Sequence, residues 1–183
     1  MSWLEIRSMT RLLAALALAG LVAGCFQPLY GDKAAGGAGF VDRMSAVEVA
    51  PIVTPNGTRL SRVSGEVRDE LMYSLTGGGA AATPNYRLTI RMTSSLQSVI
   101  VDINTARPDM QNYGIDASYT LIDVGTGKPV VTGTTFTRVS YNIPGQQQRF
   151  AGDRGLRDAE NRAAKVIADN IRLRLASYFT AGT

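Results

Sequence analysis

Few residues in this chain carry reactive chemistry, and their types exclude more than they permit. Histidine is absent, and cysteine occurs once, at Cys25. A Ser-His-Asp triad, a Cys-His pair and the ordinary His-containing zinc sites are therefore ruled out. The carboxylates Asp42, Asp102, Asp109, Asp116 and Asp123 are spread over different elements, and no C-x-x-C or G-x-x-x-x-G-K pattern occurs. Gly125-Thr126-Gly127-Lys128 imitates a phosphate loop only on the surface. It joins two expected antiparallel strands and lacks the helix whose free N–H groups would hold a phosphate. A hydrolase would rest on unpaired carboxylates alone, so a non-catalytic role is expected, with no metal or cofactor. What remains is cationic. Arginine far outnumbers lysine and the formal net charge is +4. Its planar fork suits bidentate contacts to phosphate and carboxylate. The excess is too small and too dispersed for a nucleic-acid partner.

Cys25 itself closes the run Leu12 to Cys25, LLAALALAGLVAGC, which follows Arg7 and Arg11. A basic flank, an apolar run too short to cross a bilayer as a mature helix and a small-residue cleavage site make residues 1–24 an export signal. Val22-Ala23-Gly24-Cys25 resembles a bacterial lipoprotein processing site, which implies a lipid on the Cys25 thiol and an acylated amine. At roughly 0.8 kcal/mol per buried CH₂, one chain binds a membrane marginally and several anchor it stably. With Cys25 consumed, no disulfide can form within the chain, although the compartment would permit one. Residues 25–43 then read as the lipidated N-terminus and a flexible tether. The small-residue stretch from Gly31 to Gly39 reaches at most about 30 Å, which keeps the domain near the membrane surface.

Residues 44–183 are expected to form one domain with its own core. Met44 to Ile52 alternates weakly through Val47 and Val49 and stops at Pro51, as a short edge strand does. From Thr58 the period changes. Leu60, Val63, Val67, Leu71 and Leu75 make one apolar stripe of a helix of about 17 residues that ends at Gly77-Gly78-Gly79. Tyr86, Leu88, Ile90 and Met92 then alternate with Arg87, Thr89, Arg91 and Thr93, a two-residue period that predicts a strand with an arginine-bearing outer face. After Ser94-Ser95 the strand is expected to continue past a bulge, with its register shifted by one. Asn112 to Val124 and Val130 to Tyr141 predict two further strands around a hairpin turn at Gly125 to Pro129. A polar loop leads to a second helix of about 20 residues, striped by Leu156, Ala159, Ala163, Val166, Ile167, Ile171 and Leu175. The expected fold class is α+β. Two amphipathic helices pack on one face of a four-stranded mixed or antiparallel sheet, a two-layer sandwich in the order β-α-β-β-β-α.

Cys25 is followed at once by Phe26, Gln27, Pro28, Leu29, Tyr30 and Gly31, giving CFQPLYG. That segment, the tether and the element order together resemble the lipopolysaccharide-assembly lipoprotein family LptE, in its alphaproteobacterial form. The family pattern is C-G-F-x-P-L-Y; here Phe26 directly follows the cysteine, and the small residue is missing. The resemblance implies an outer-membrane lipoprotein that plugs the lumen of an LptD-like β-barrel, helps assemble it and assists lipopolysaccharide insertion into the outer leaflet. It also implies basic contacts to the lipid's charged head. These carry over loosely to Arg107 and Lys128 in two loops, with Arg87, Arg91 and Arg138 as strand candidates. A lipoprotein facing the periplasm and binding another envelope partner or ligand would share the signal and the fold. Phe26, rather than aspartate, after the cysteine looks like the outer-membrane sorting pattern.

Overall fold

Alternating residues give a strand two faces, and the long strands here bury one of them. The computed structural model describes residues 39–78, 83–101, 108–143 and 149–181. Within these, the elements run α1 (Phe40–Ser45), β1 (Val47–Val49), α2 (Arg59–Thr76), β2 (Tyr86–Val101), β3 (Pro108–Asp123), β4 (Pro129–Asn142) and α3 (Arg149–Ala181). The sheet order is β1-β2-β3-β4. β2, β3 and β4 form an antiparallel meander, and β1 joins the edge of β2 in parallel, pairing Val47 with Tyr86 and Val49 with Leu88. The α+β class and the mixed four-stranded sheet agree with the sequence pattern. The start differs: α1 begins among residues expected to be tether, and the strand expected over Met44–Ile52 shrinks to Val47–Val49. The register shift also falls later than expected. β2 stays in step with β3 as far as Ser98 and slips between Ser98 and Val101.

The rows Leu88–Leu121–Val131 and Ile90–Tyr119 put buried side chains on one face of the sheet. α2 meets that face through Val63, Val67, Leu71 and Leu75. Its first turn is capped by Thr58, whose Oγ1 accepts from Ser61 N at 3.2 Å. α3 contributes Leu156, Ala159, Ala163, Ala164, Ile167, Ala168, Ile171, Leu175, Ala176 and Phe179. Its alanines let the helix approach the sheet closely. Val166, expected in the apolar stripe, is 40% exposed, and Ala164 and Ala168 take the buried positions beside it. At 1.5 Å per residue, α3 spans roughly 50 Å, close to the roughly 50 Å of β2 and β3 at about 3.4 Å per residue. The helix packs on β3 and β4, and the far half of β2 stays uncovered, since Ser94, Leu96 and Ser98 share the parity of Leu88 and are exposed. Tyr86, Tyr178 and Phe179 close one end edge to face, with ring centroids 5.1 and 5.3 Å apart. Between the helices, buried Glu160 of α3 is paired with Arg62 of α2, which also donates to Asn161 Oδ1 at 2.9 Å.

Two glycines make room for side chains from neighbouring strands. A Cβ at Gly133 of β4 would stand 2.5 Å from the Tyr119 hydroxyl oxygen and 2.6 Å from its ring. Tyr119 is 6% exposed and so is held on the core side. Gly133→Ala is expected to force the ring aside and destabilise the domain by about 2 kcal/mol, read as a lowered urea midpoint at unchanged slope. A Cβ at Gly114 of β3 would stand 2.7 Å from Arg138 Cδ and 2.8 Å from Ser95 Oγ, side chains that can turn outward into solvent at the loss of the exposed Arg138–Asp116 pair, so Gly114→Ala should cost less in the same assay.

Candidate functional site

The face of the sheet turned away from the helices is built from the other parity of each strand. Thr89, Arg91, Thr93, Ser118, Thr132, Thr134 and Ser140 are exposed along it. Its rows run Arg91–Ser118–Thr134, then Thr93–Asp116–Phe136, then Ser95–Gly114–Arg138. Hydroxyls dominate, since threonine combines strand propensity with a polar surface. Arg138 Nη2 donates to both carboxylate oxygens of Asp116 at 3.0 Å, and Nη1 donates to the carbonyls of Ile115 at 3.2 Å and Thr137 at 2.9 Å. Its guanidinium carbon lies 5.7 Å from the centroid of the Phe136 ring. Gly114 leaves the space that Arg138 crosses. The pair is half exposed, so it contributes orientation more than stability.

Of the proposed contacts, Arg87, Arg91 and Arg138 share this open face. Arg87 is engaged, its Nε donating to Glu48 Oε2 at 3.0 Å. Arg91 is exposed and makes no hydrogen bond or ion pair among the described residues. Lys128 is exposed in the β3–β4 turn, where its carbonyl accepts from Asp123 N at 3.0 Å. That turn is fixed by Asp123, whose Oδ1 accepts from Thr126 N at 2.8 Å and Thr126 Oγ1 at 3.0 Å. These bonds hold the Asp123 carboxyl below its ordinary range. Cys25, Phe26, Gln27, Pro28, Leu29, Tyr30, Gly31 and Arg107 lie outside the described residues. The strand ends that flank the Arg107 segment, Val101 and Pro108, pair with each other at the end of the sheet opposite the Lys128 turn. The structure thus gathers the strand arginines on one surface and leaves Lys128 at a sheet end.

Sequence reasoning missed Phe136 as a member of this surface and, although alternation put Asp116 on the polar side of its strand, missed its pairing with Arg138. The available signal was parity: Phe136 shares the outward register of Thr134 and Arg138, so an aromatic ring stands on a polar face. A shallow depression of about 340 Å³ opens there, lined by Arg91, Thr93, Asp116, Ser118, Thr134 and Phe136. Among the described residues, no group of histidine, cysteine or carboxylate side chains could hold a metal ion, and no helix is long and apolar enough to cross a membrane.

A long meander backed by two helices, with a hydroxyl- and arginine-bearing open face, defines a two-layer α+β domain. The family model for LptE, lipopolysaccharide-assembly, matches residues 44–175, and the chain belongs to that family. Its role is accordingly in lipopolysaccharide assembly, and the family is non-catalytic. Among solved structures, a protein of Caulobacter crescentus described as a lipoprotein is 20% identical, with a TM-score of 0.61 over 79% of this chain and 97% of that one. Rare lipoprotein B of Shewanella oneidensis is 13% identical, with a TM-score of 0.51 over 72% and 93%. Lipoprotein B of Nitrosomonas europaea is also 13% identical, with a TM-score of 0.51 over 83% and 94%. At these identities the likeness is one of fold. No curated protein matches the chain.

Proposed function

We propose that this protein is an outer-membrane lipoprotein that plugs the lumen of an LptD-like barrel, helps assemble it and assists insertion of lipopolysaccharide into the outer leaflet. Membership of the lipopolysaccharide-assembly family over residues 44–175 carries the reading. The open face supports it. Barrel interiors are polar, and a sheet surface of threonine, serine and paired arginine fits such a lumen without a large apolar patch. In this reading residues 1–24 are the signal, Cys25 carries the acyl anchor, and the residues between it and α1, which opens at Phe40, tether the domain to the periplasmic side of the membrane. Lys128, Arg87, Arg91, Arg138 and Arg107 supply the cations for the phosphates and acidic sugars of the lipid.

Crosslinking in intact cells followed by gentle solubilisation tests the partner. The expected result is a stable complex with a large β-barrel; recovery of the protein alone, or with an unrelated envelope protein, would overturn the plug reading. Cys25→Ala is expected to abolish acyl labelling, whereas normal labelling of that variant would remove Cys25 as the anchor.

A further inference from the structure

Phe136 is 69% exposed midway along the edge strand β4, on the open face. A lone exposed ring needs no explanation, but this one has built surroundings. Arg138 lies over the ring and is itself fixed by Asp116 and by two backbone carbonyls. Phe136 lines the depression of about 340 Å³ and Arg138 does not, so the ring stands between a fixed guanidinium and an open hollow. Across that hollow is Arg91, exposed and without a partner among the described residues. Hydroxyls of Thr93, Ser118 and Thr134 line the space between them.

An apolar plate, several hydroxyls and one unengaged guanidinium are complementary to a particular ligand chemistry. A pyranose ring presents an apolar C–H face that packs on the electron-rich face of an aromatic ring. Its rim hydroxyls both donate and accept, as threonine and serine do. A phosphate or carboxylate on the ring takes a guanidinium in two parallel bonds. An acyl chain would leave the lining hydroxyls desolvated without partners. The volume lies at the small end of ligand sites, roughly 300–1,000 Å³, which suits one sugar ring. We infer that the open face of the sheet carries a subsite for an acidic sugar, its ring on Phe136, its anionic group on Arg91 and its hydroxyls on Thr93, Ser118 and Thr134. The inference rests on the lipopolysaccharide reading for the source of the sugar. It places the saccharide on the sheet face, away from the Lys128 turn.

The test titrates the purified lipoprotein in detergent with three probes: deacylated phosphorylated oligosaccharide from lipopolysaccharide, the same oligosaccharide after phosphatase treatment, and inorganic phosphate. Wild type should bind the phosphorylated oligosaccharide saturably, and Phe136→Ala and Arg91→Gln should each weaken it about tenfold, the equivalent of about 1.4 kcal/mol. Removing the sugar phosphate should weaken wild type and leave Arg91→Gln unchanged. Arg91→Gln should also flatten the salt dependence, which Phe136→Ala should not. Phosphate alone should compete only at far higher concentration; equal potency would overturn the sugar and leave an anion site. Wild-type affinity in both variants, or no binding of deacylated oligosaccharide by wild type, would overturn the subsite. Both positions are exposed, so unchanged melting midpoints check folding. Co-isolation of each variant with the barrel keeps the two readings apart: a retained barrel with unaltered saccharide binding removes the subsite alone, and a missing barrel in wild type removes the plug.

Discussion

Arg62→Ala is expected to lower the unfolding free energy by about 3 kcal/mol, because it strands the Glu160 carboxylate inside the helix layer. The Glu160 side chain is 5% exposed, and its Oε1 has no hydrogen-bond partner among the described residues. Arg62 is the cation that faces it, reaching across from α2. The Arg62 side chain is 30% exposed, so water tempers the loss and places it at the lower end of the range for broken buried pairs. The pair itself need not be a net gain. Arg62→Met with Glu160→Met should recover most of the stability, since two well-packed apolar chains can replace a buried ion pair. A urea-denaturation double-mutant cycle reads both statements at once. Equal stability of wild type and Arg62→Ala would mean that the carboxylate is adequately solvated without its partner.

Leu121→Ala is expected to cost about 3–4 kcal/mol, at the level of other buried leucine truncations. Leu121 lies on the central strand β3, fully buried between Leu88 of β2 and Val131 of β4, and these neighbours are fixed by the register on either side. The strands cannot close the gap without breaking their ladders, so the cavity should persist. Leu173→Ala offers the contrast. Leu173 is 57% exposed on α3, and its loss should fall within about 0.5 kcal/mol. Thermal melts of both variants check the difference; similar shifts would show that the sheet relaxes around the lost side chain.

The long elements were legible where one face is buried and the other wet. Tyr86 to Thr93 declares its period in sequence, and Leu88, Ile90 and Met92 are buried as that period requires. α2 is legible for the same reason. The extent of α3 was not. Its first turns, residues 149–155, read RFAGDRG, with two glycines and with Phe150 86% exposed, so no apolar stripe marks them and the sequence reads as loop as far as Asp153. α1 escaped because six residues contain too little of a 3.6-residue period to register. The mixed character of the sheet was legible only as an alternative, since the direction of a three-residue strand is set by the crossing of α2 and not by its own sequence. On the open face, alternation named the arginines but could not say which were already engaged. The pairing of Arg87 with Glu48 and of Arg138 with Asp116 joins different strands, and only the register brings them together.

The short parallel strand at the start of the domain has a consequence for the order in which the chain folds. The meander from β2 to β4 closes through adjacent segments, whereas Glu48 must wait for Arg87, 39 residues downstream, and Arg62 for Glu160, 98 residues downstream. Closing long loops is entropically slower than zipping neighbours. On these grounds β1, although synthesised before its partner strand, is expected to dock after the meander has zipped. The first strand made is then expected to be among the last to pair. During that interval the β2 edge along Tyr86, Arg87 and Leu88 offers unpaired backbone groups to any other strand nearby, and the domain is most vulnerable to mispairing there.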